Sequence, residues 1–319
     1  MKNAESDRIL VIVNRGEIVK RIAKSAKSLG FQVVTVHGPH DRDEPHVKVG
    51  DQRINLLQFA LSVSEVDEER ARDLLAADGP RLYLEEDLLI KVCLSVGASH
   101  VHPGYGFLSE RASFAQKVID AGMRWVGPTP QTMKMLGDKT TAREVAERAG
   151  VSVVPGVAPR VANDEELIEA AQQVGVPLMI KAAAGGGGRG MRVVSQLDEL
   201  GEAIKSARRE ALLGFGDDRL LIEKYIPIAR HVEVQLFGDQ LGQLVHLGER
   251  DCTVQRRQQK IIEESPAPEL PEELAQELYN DALKIGAQVS FESAGTVEFL
   301  LTPDGQRYFL EVNTRIQVE

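Results

Sequence analysis

"RILVIV", from Arg8 to Val13, is an apolar, β-branched run of the kind a buried strand uses. Behind it Ile18, Ile22, Ala26 and Leu29 recur at helical spacing, and Gly30 stops the pattern. "FQVVTVH" is the next strand, and strand–helix–strand at this spacing predicts a parallel pair joined by a right-handed crossover. A helix around "LEEDLLIKVCLSVG", a strand around "ASHVHP", a helix around "SERASFAQKVIDAG" and a strand "RWVGP" continue the alternation. Residues 1–128 therefore read as an α/β N-terminal domain with an open parallel sheet. Its first turn, "NRGE" from Asn14 to Glu17, lacks the glycine fingerprint of a dinucleotide site, which argues against one there.

The pattern then changes. Residues 129–152 begin with a proline break and hold one helix, from about Lys139 to Ala149, stopped by Gly150; they read as a connector. Residues 153–226 carry "PLMIKAAAGGGGRGMRVV", a helix near "LDELGEAIKSARREALLGFG" and a strand "RLLIEKYI", a small α+β unit. Residues 227–319 are dominated by strands: "RHVEVQLFG", "LVHLGERDCTVQRR", "GTVEFLLT" and "RYFLEVNT". One helix, "PEELAQELYNDALKIGAQV", interrupts them. The alternation in "HVEVQLF" predicts an antiparallel sheet with one polar face turned toward a cleft. The chain stops at "EVNTRIQVE", in polar strand-forming residues with no closing helix, so an incomplete sheet domain and a fragment are expected.

Composition narrows the class. The chain has 319 residues, 43% of them hydrophobic, enough for two or three domains. The net charge of −10 argues against a general nucleic-acid or membrane-surface binder. Two distant cysteines, Cys93 and Cys252, make no disulfide framework and fit a reducing compartment. The start shows no signal peptide, transit peptide or membrane span, so a cytoplasmic location is expected, with a mitochondrial one open for a eukaryotic source.

Three clusters carry chemistry. Four contiguous glycines between Lys181 and Arg189 read as a flap whose amides close over anionic phosphates, with Lys181 delivered by the strand before it. The stretch is not a Walker A loop, and a hairpin loop without ligand is the bland alternative. Glu298, Glu311 and Asn313 are oxygen donors that suit magnesium; strand period places Glu311 and Asn313 on one face, and a solvated strand edge is the alternative. Gln255, Arg256, Arg257 and Lys260 form a basic cluster able to hold a small anion, against a solvated charged strand. Arg315 is a similar case, and Glu319 is a candidate general base. His100 and His102 have no zinc spacing and read as structural, His231 is ambiguous, and Trp125 reads as core. Ser109 lacks a nucleophile elbow, which disfavours a serine hydrolase.

Taken in order, "NRGEI", "HPGYGFLSE", "GDK", "IKAAAGGGGRGMRVV", "IEKYI", "RHVEVQ", "ERDCTVQRRQQK", "GTVEFL" and "FLEVNTRIQVE" resemble the biotin carboxylase component of biotin-dependent carboxylases, over nearly the whole chain. The resemblance implies an ATP-grasp fold: an N-terminal α/β domain, then a lid, then an antiparallel-sheet domain. It implies that Lys139 and Lys181 bind ATP phosphates, that Gly187 and Gly188 cover them, and that Glu223, Lys224 and Ile226 hold the adenine. His231, Gln258, Glu298 and Glu311 also belong to the ATP site by this resemblance. Glu298, Glu311 and Asn313 would bind two magnesium or manganese ions. Lys260, Arg315 and Val318 would hold bicarbonate, with Glu319 as base and Arg315 and Lys260 also catalytic. The implied reaction is ATP-dependent carboxylation of carrier-bound biotin through carboxyphosphate, shielded from water by the glycine lid. Implied partners are a biotin carboxyl carrier protein or domain, a carboxyltransferase component and a second copy in a homodimer. Gln258 stands where the family usually has histidine, which predicts weaker ATP binding, and Ala184 where many members have glycine or another small residue. The stretch from Leu57 to Gly79 looks longer than its family equivalent and reads as a charged surface insertion with helical tendency. The family continues past "IQVE" into more sheet and a second arginine near biotin. Two other classes stay open: a non-catalytic nucleotide-binding or regulatory remnant, and another ATP-grasp ligase of the carbamoyl-phosphate type.

Overall fold

The computed structural model describes residues 8–63, 80–158, 163–184, 191–256 and 258–318. The chain forms two compact units. One takes the residues up to Met133 together with Arg315–Val318, and the other runs from Lys134 to Thr314.

The first unit is built on a five-stranded parallel sheet in the order β3-β2-β1-β4-β5. Its strands are β1 (Ile9–Ile12), β2 (Gln32–His37), β3 (Gln52–Asn55), β4 (His100–His102) and β5 (Arg124–Trp125). The apolar run at Arg8 to Val13 has a direct cause: both sheet faces are covered. Val11, Val13, Val34 and Val36 pack into one core, and Leu10, Ile12 and Val33 into another with Ile18, Val19 and Ile22. The order reverses between β1 and β4, the place where open α/β sheets leave a crevice at their carboxyl edge. Asn14, just past β1, ties the two loops there. Its Nδ2 donates to the Pro103 and Tyr105 carbonyls at 2.6 and 2.7 Å. Gly104 permits the approach, since a Cβ would stand 2.8 Å from that nitrogen and φ is +67°.

Details of this unit depart from the sequence reading. Leu29 is 66% exposed, because the helix ends at Ser28 and turns it outward; Val19 and Ala23 complete the buried stripe instead. The stretch beginning at Leu57 is not all surface. It opens inside the helix Leu56–Ser62, capped by the Asn55 side chain, with Leu57 and Ala60 buried in the core. The rest of that stretch, residues 64–79, lies outside the described residues.

The second unit holds two antiparallel sheets. The smaller, in the order β6-β9-β7-β8, contains β6 (Gly156–Val157), β7 (Leu178–Ala182), β8 (Arg192–Val194) and β9 (Leu220–Lys224). Helices Asp164–Val174 and Leu200–Phe215 share its core with Leu178, Ile180 and Ile222. The larger, in the order β12-β11-β10-β13-β14, contains β10 (Arg230–Gly238), β11 (Leu244–Arg256), β12 (Gln259–Glu264), β13 (Ser293–Leu301) and β14 (Arg307–Asn313). Alternate residues of β10 divide its faces. Val232, Val234 and Leu236 pack on helices Lys139–Arg148 and Glu272–Gln288, while His231, Glu233 and Gln235 take the other side. The stretch read as a connector holds two helices, Pro130–Gly137 and Lys139–Arg148, separated at Asp138, whose side chain caps the second.

Candidate active site

The ladder of the larger sheet builds the site. Glu233 on β10 is paired with Arg250 on β11 and with Glu298 on β13, and Glu298 is paired with Glu311 on β14. Directly opposed residues share a face, so three carboxylates and a guanidinium form one row across four strands. Such a row needs cations, and the next strand supplies one. Lys260 on β12 places its Nζ 3.0 Å from Glu298 Oε1 and also bonds Glu233. Arg250 bonds the other oxygen of Glu233 and donates to Gln235 Oε1 at 3.2 Å and Thr296 Oγ1 at 3.3 Å. Glu233 is fully buried.

Glu298 is the hub. Asn313 Nδ2 donates to its Oε1 at 2.6 Å, and His231 Nε2 donates to its Oε2 at 2.6 Å. The histidine tautomer is set from behind. Gln255 Nε2, a donor, lies 2.6 Å from His231 Nδ1, so that nitrogen accepts and Nε2 carries the hydrogen. Burial alone would raise the Glu298 carboxyl; the His231 hydrogen bond and the Lys260 charge outweigh it and hold the group below its ordinary 4.5. Burial would lower the Lys260 ammonium, and the charges of Glu298 and Glu233 reverse that and raise it. Lys139, the first residue of its helix, lies 3.6 Å from Glu311.

A second charged group sits in the smaller sheet. Lys181, in β7, is buried and lies 2.5 Å from Glu223 Oε2, in β9. Arg143 reaches the other oxygen at 3.2 Å. Lys224 Nζ donates to the Val176 carbonyl at 3.1 Å, and Ile226 is half-buried.

Glu298, Glu311, Asn313, His231, Lys260 and Lys139 are thus brought into one connected set. Of the expected basic cluster, Gln255 and Lys260 share a face through the β11–β12 register, and Arg256 does not join them. Lys260 faces carboxylates, Gln255 serves His231, and Arg256 and Gln258 are exposed, Gln258 in the β11–β12 turn with φ +63°. Alternate residues of a strand point opposite ways, which splits such a run. Arg257, Gly187, Gly188 and Glu319 lie outside the described residues. Arg315 and Val318 belong to the first unit, where Arg315 lies 3.5 Å from Glu110 and Val318 is exposed. Sequence reading missed Glu233, Arg250 and Arg143. For Glu233 a signal existed: it occupies the same period-two face as His231 and Gln235.

One further set of ligand-type atoms, from Glu233, Cys252 and Glu263, lies within 4.8 Å. It does not suit a metal. Glu233 is already bound to two cations, and burial pushes the Cys252 thiol up, which keeps its proton on. The oxygen donors Glu298, Glu311 and Asn313 do suit a hard divalent cation that keeps several waters or phosphate oxygens.

Comparison with known proteins agrees with this geometry. The model of the biotin carboxylase N-terminal domain matches residues 6–133, and that of the ATP-binding domain of the carbamoyl-phosphate synthase L chain matches residues 138–319. The crystal structure of a biotin carboxylase from Campylobacter jejuni in a β,γ-ATP complex superimposes with a TM-score of 0.89, at 38% identity, covering 100% of this chain and 67% of that one. The chain belongs to the biotin carboxylase family. Its parallel-sheet first unit and antiparallel second unit are the N-terminal domain and ATP-grasp sheets of that fold. A biotin carboxylase from Nostoc sp. is 42% identical over 98% of this chain and 66% of its own length. The biotin carboxylase domain dimer of a Hydrogenobacter thermophilus 2-oxoglutarate carboxylase, solved with MgADP, ADP and bicarbonate, has a TM-score of 0.89 at 36% identity, covering 98% of this chain and 65% of that one. The chain spans between 25% and 66% of the length of the first curated relatives it matches. Among the described residues no helix is long and apolar enough to cross a membrane.

Proposed function

We propose that the chain supplies the ATP- and bicarbonate-activating part of a biotin carboxylase. One observation carries the reading: the carboxylate row, its Glu233 and Glu298 buried with Lys260 seated on both, in a family whose solved members hold ATP, MgADP and bicarbonate.

The chemistry sets what the residues must do. Bicarbonate is a poor nucleophile and needs activation. A bicarbonate oxygen takes the γ-phosphoryl group of ATP, giving carboxyphosphate and ADP. Carboxyphosphate then splits to CO2 and phosphate beside the biotin ureido nitrogen, which gives its proton to phosphate and takes the carboxyl group. Most of the protein's contribution is charge neutralisation and positioning. Lys139 and Lys181 would hold phosphate oxygens, and the loop at Gly187 and Gly188 would close over them. The strand end at Glu223, Lys224 and Ile226 would hold the adenine, with His231 and Gln258 beside the nucleotide. Glu298, Glu311 and Asn313 would hold two magnesium or manganese ions, which supply further neutralisation of triphosphate charge. Lys260, Arg315 and the Val318 backbone would orient bicarbonate, with Glu319 taking its proton. Carrier-bound biotin and a carboxyltransferase component are the partners this chemistry requires, and a homodimer follows the Hydrogenobacter arrangement.

The test is ADP release that depends on both bicarbonate and free biotin. ATP cleavage indifferent to bicarbonate would overturn the reading.

A further inference from the structure

Glu223 is buried and shared by two cations of unlike mobility. Lys181 holds Oε2 at 2.5 Å from a neighbouring strand, and Arg143 holds Oε1 at 3.2 Å from helix Lys139–Arg148. Arg143 is fastened twice more. Its Nη1 donates to the Val154 carbonyl, and its Nε lies 3.3 Å from Glu147 Oε1 one turn along the helix. Its side chain is 11% exposed. A planar guanidinium gripped at three points stays where it is, whereas a lysine ammonium on a four-carbon stem can swing.

The reading of Lys181 as a phosphate ligand sets a problem. Lys181 has to give up Glu223 before it can serve the nucleotide, and a buried carboxylate left without a cation is strongly unfavourable. We propose that Arg143 is a positioning residue that keeps Glu223 compensated, so that Lys181 can pass from Glu223 to an incoming phosphate. The inference rests on the proposed function above. Arg143 touches no substrate in this scheme. It acts through Glu223, setting how tightly Lys181 is retained when the site holds no nucleotide. Among the described residues, Arg143 and Lys181 are the two cations that reach the Glu223 carboxylate, so removing Arg143 makes Lys181 its sole counter-ion.

The experiment is calorimetric titration of MgATP into the 319-residue chain and its variants. Arg143→Met should weaken MgATP by about 10-fold, because Lys181 is then locked on Glu223. Arg143→Lys, which keeps the charge but loses the fork, should weaken it by only about 3-fold. Adding Glu223→Gln to Arg143→Met should restore affinity to within about 3-fold of Glu223→Gln alone, because no buried carboxylate then competes for Lys181. An anchor that merely holds the fold would not be rescued by a second substitution beside it. If Arg143→Met proves too unstable to titrate, the Arg143→Lys and double-variant measurements decide. Wild-type chain that binds MgATP, with single Arg143 variants that bind equally well or a double variant about 10-fold or more weaker than Glu223→Gln alone, overturns the role of Arg143 alone. Wild-type chain that does not bind MgATP overturns the functional reading, and this inference with it.

Discussion

The Lys260 ammonium lies 3.0 Å from the Glu298 carboxylate and joins it to Glu233, so one cation bridges two buried acids on adjacent strands. Each acid keeps another partner if the lysine is lost: Arg250 for Glu233, and His231 and Asn313 for Glu298. Lys260→Met should therefore fold, with a stability loss of about 3 kcal/mol on urea denaturation. Bicarbonate-dependent ATP cleavage should fall by about 100-fold or more while MgATP affinity changes by less than about 3-fold. Collapse of nucleotide binding in this variant would assign Lys260 to the nucleotide instead.

Glu298→Gln and Glu311→Gln keep shape and remove charge from the oxygen donors. Each should raise the magnesium concentration for half-maximal ATP cleavage by about 10-fold or more, read from a magnesium titration at fixed ATP. An unchanged titration in both variants would place the divalent ions elsewhere.

His102 should make the first unit acid-sensitive. Its Nδ1 accepts the Gly104 N–H at 3.0 Å, a bond only the unprotonated nitrogen can make. Burial lowers the ring from 6.5 to about 4. Between those values the unfolded chain binds a proton that the folded chain refuses, so stability is unaffected above pH 6.5 and falls as pH drops toward 4. The loss attributable to this residue is at most about 3 kcal/mol, and His102→Asn should flatten that part of a denaturation-versus-pH curve. Parallel curves for the two proteins would contradict the assignment.

Two glycines in one hairpin separate crowding from backbone strain. A Cβ on Gly238 would stand 1.8 Å from the Phe291 carbonyl oxygen, whereas one on Gly242 meets nothing within 4 Å but sits at φ +85°. Gly238→Ala should cost about 3 kcal/mol and Gly242→Ala about 1 kcal/mol in thermal unfolding. Equal costs would mean that the strand end relaxes freely.

Much of the architecture is legible where one residue's neighbours dictate its environment. The run from Arg8 to Val13 and the alternation in "HVEVQLF" follow from sheets covered on two faces and on one. The helix Asp164–Val174 goes unread although its signal is present: Asn163 and Glu166 form a capping box, and Gly175 stops it. Strand β3 is missed because Gln52 and Arg53 are exposed and carry no apolar alternation. The candidate site is legible in its residue types and less so in its pairings. Glu233 meets Glu298 through strand register, and Glu223 meets Arg143 and Lys181 across 80 and 42 positions. Spacing along a chain does not encode such meetings. The resemblance named Lys181 and Glu223 separately, and only the fold shows that they hold each other.

Glu298 has about four acceptor positions, and three are already filled: two on Oε1 by Lys260 and Asn313, one on Oε2 by His231. A solitary divalent ion therefore finds little room and resident positive charge. If Glu298 holds metal as proposed, the bare protein should be a poor chelator, and those donors would have to be drawn away before the carboxylate opens. Loading would then have a built-in order, with nucleotide and metal admitted as a pair.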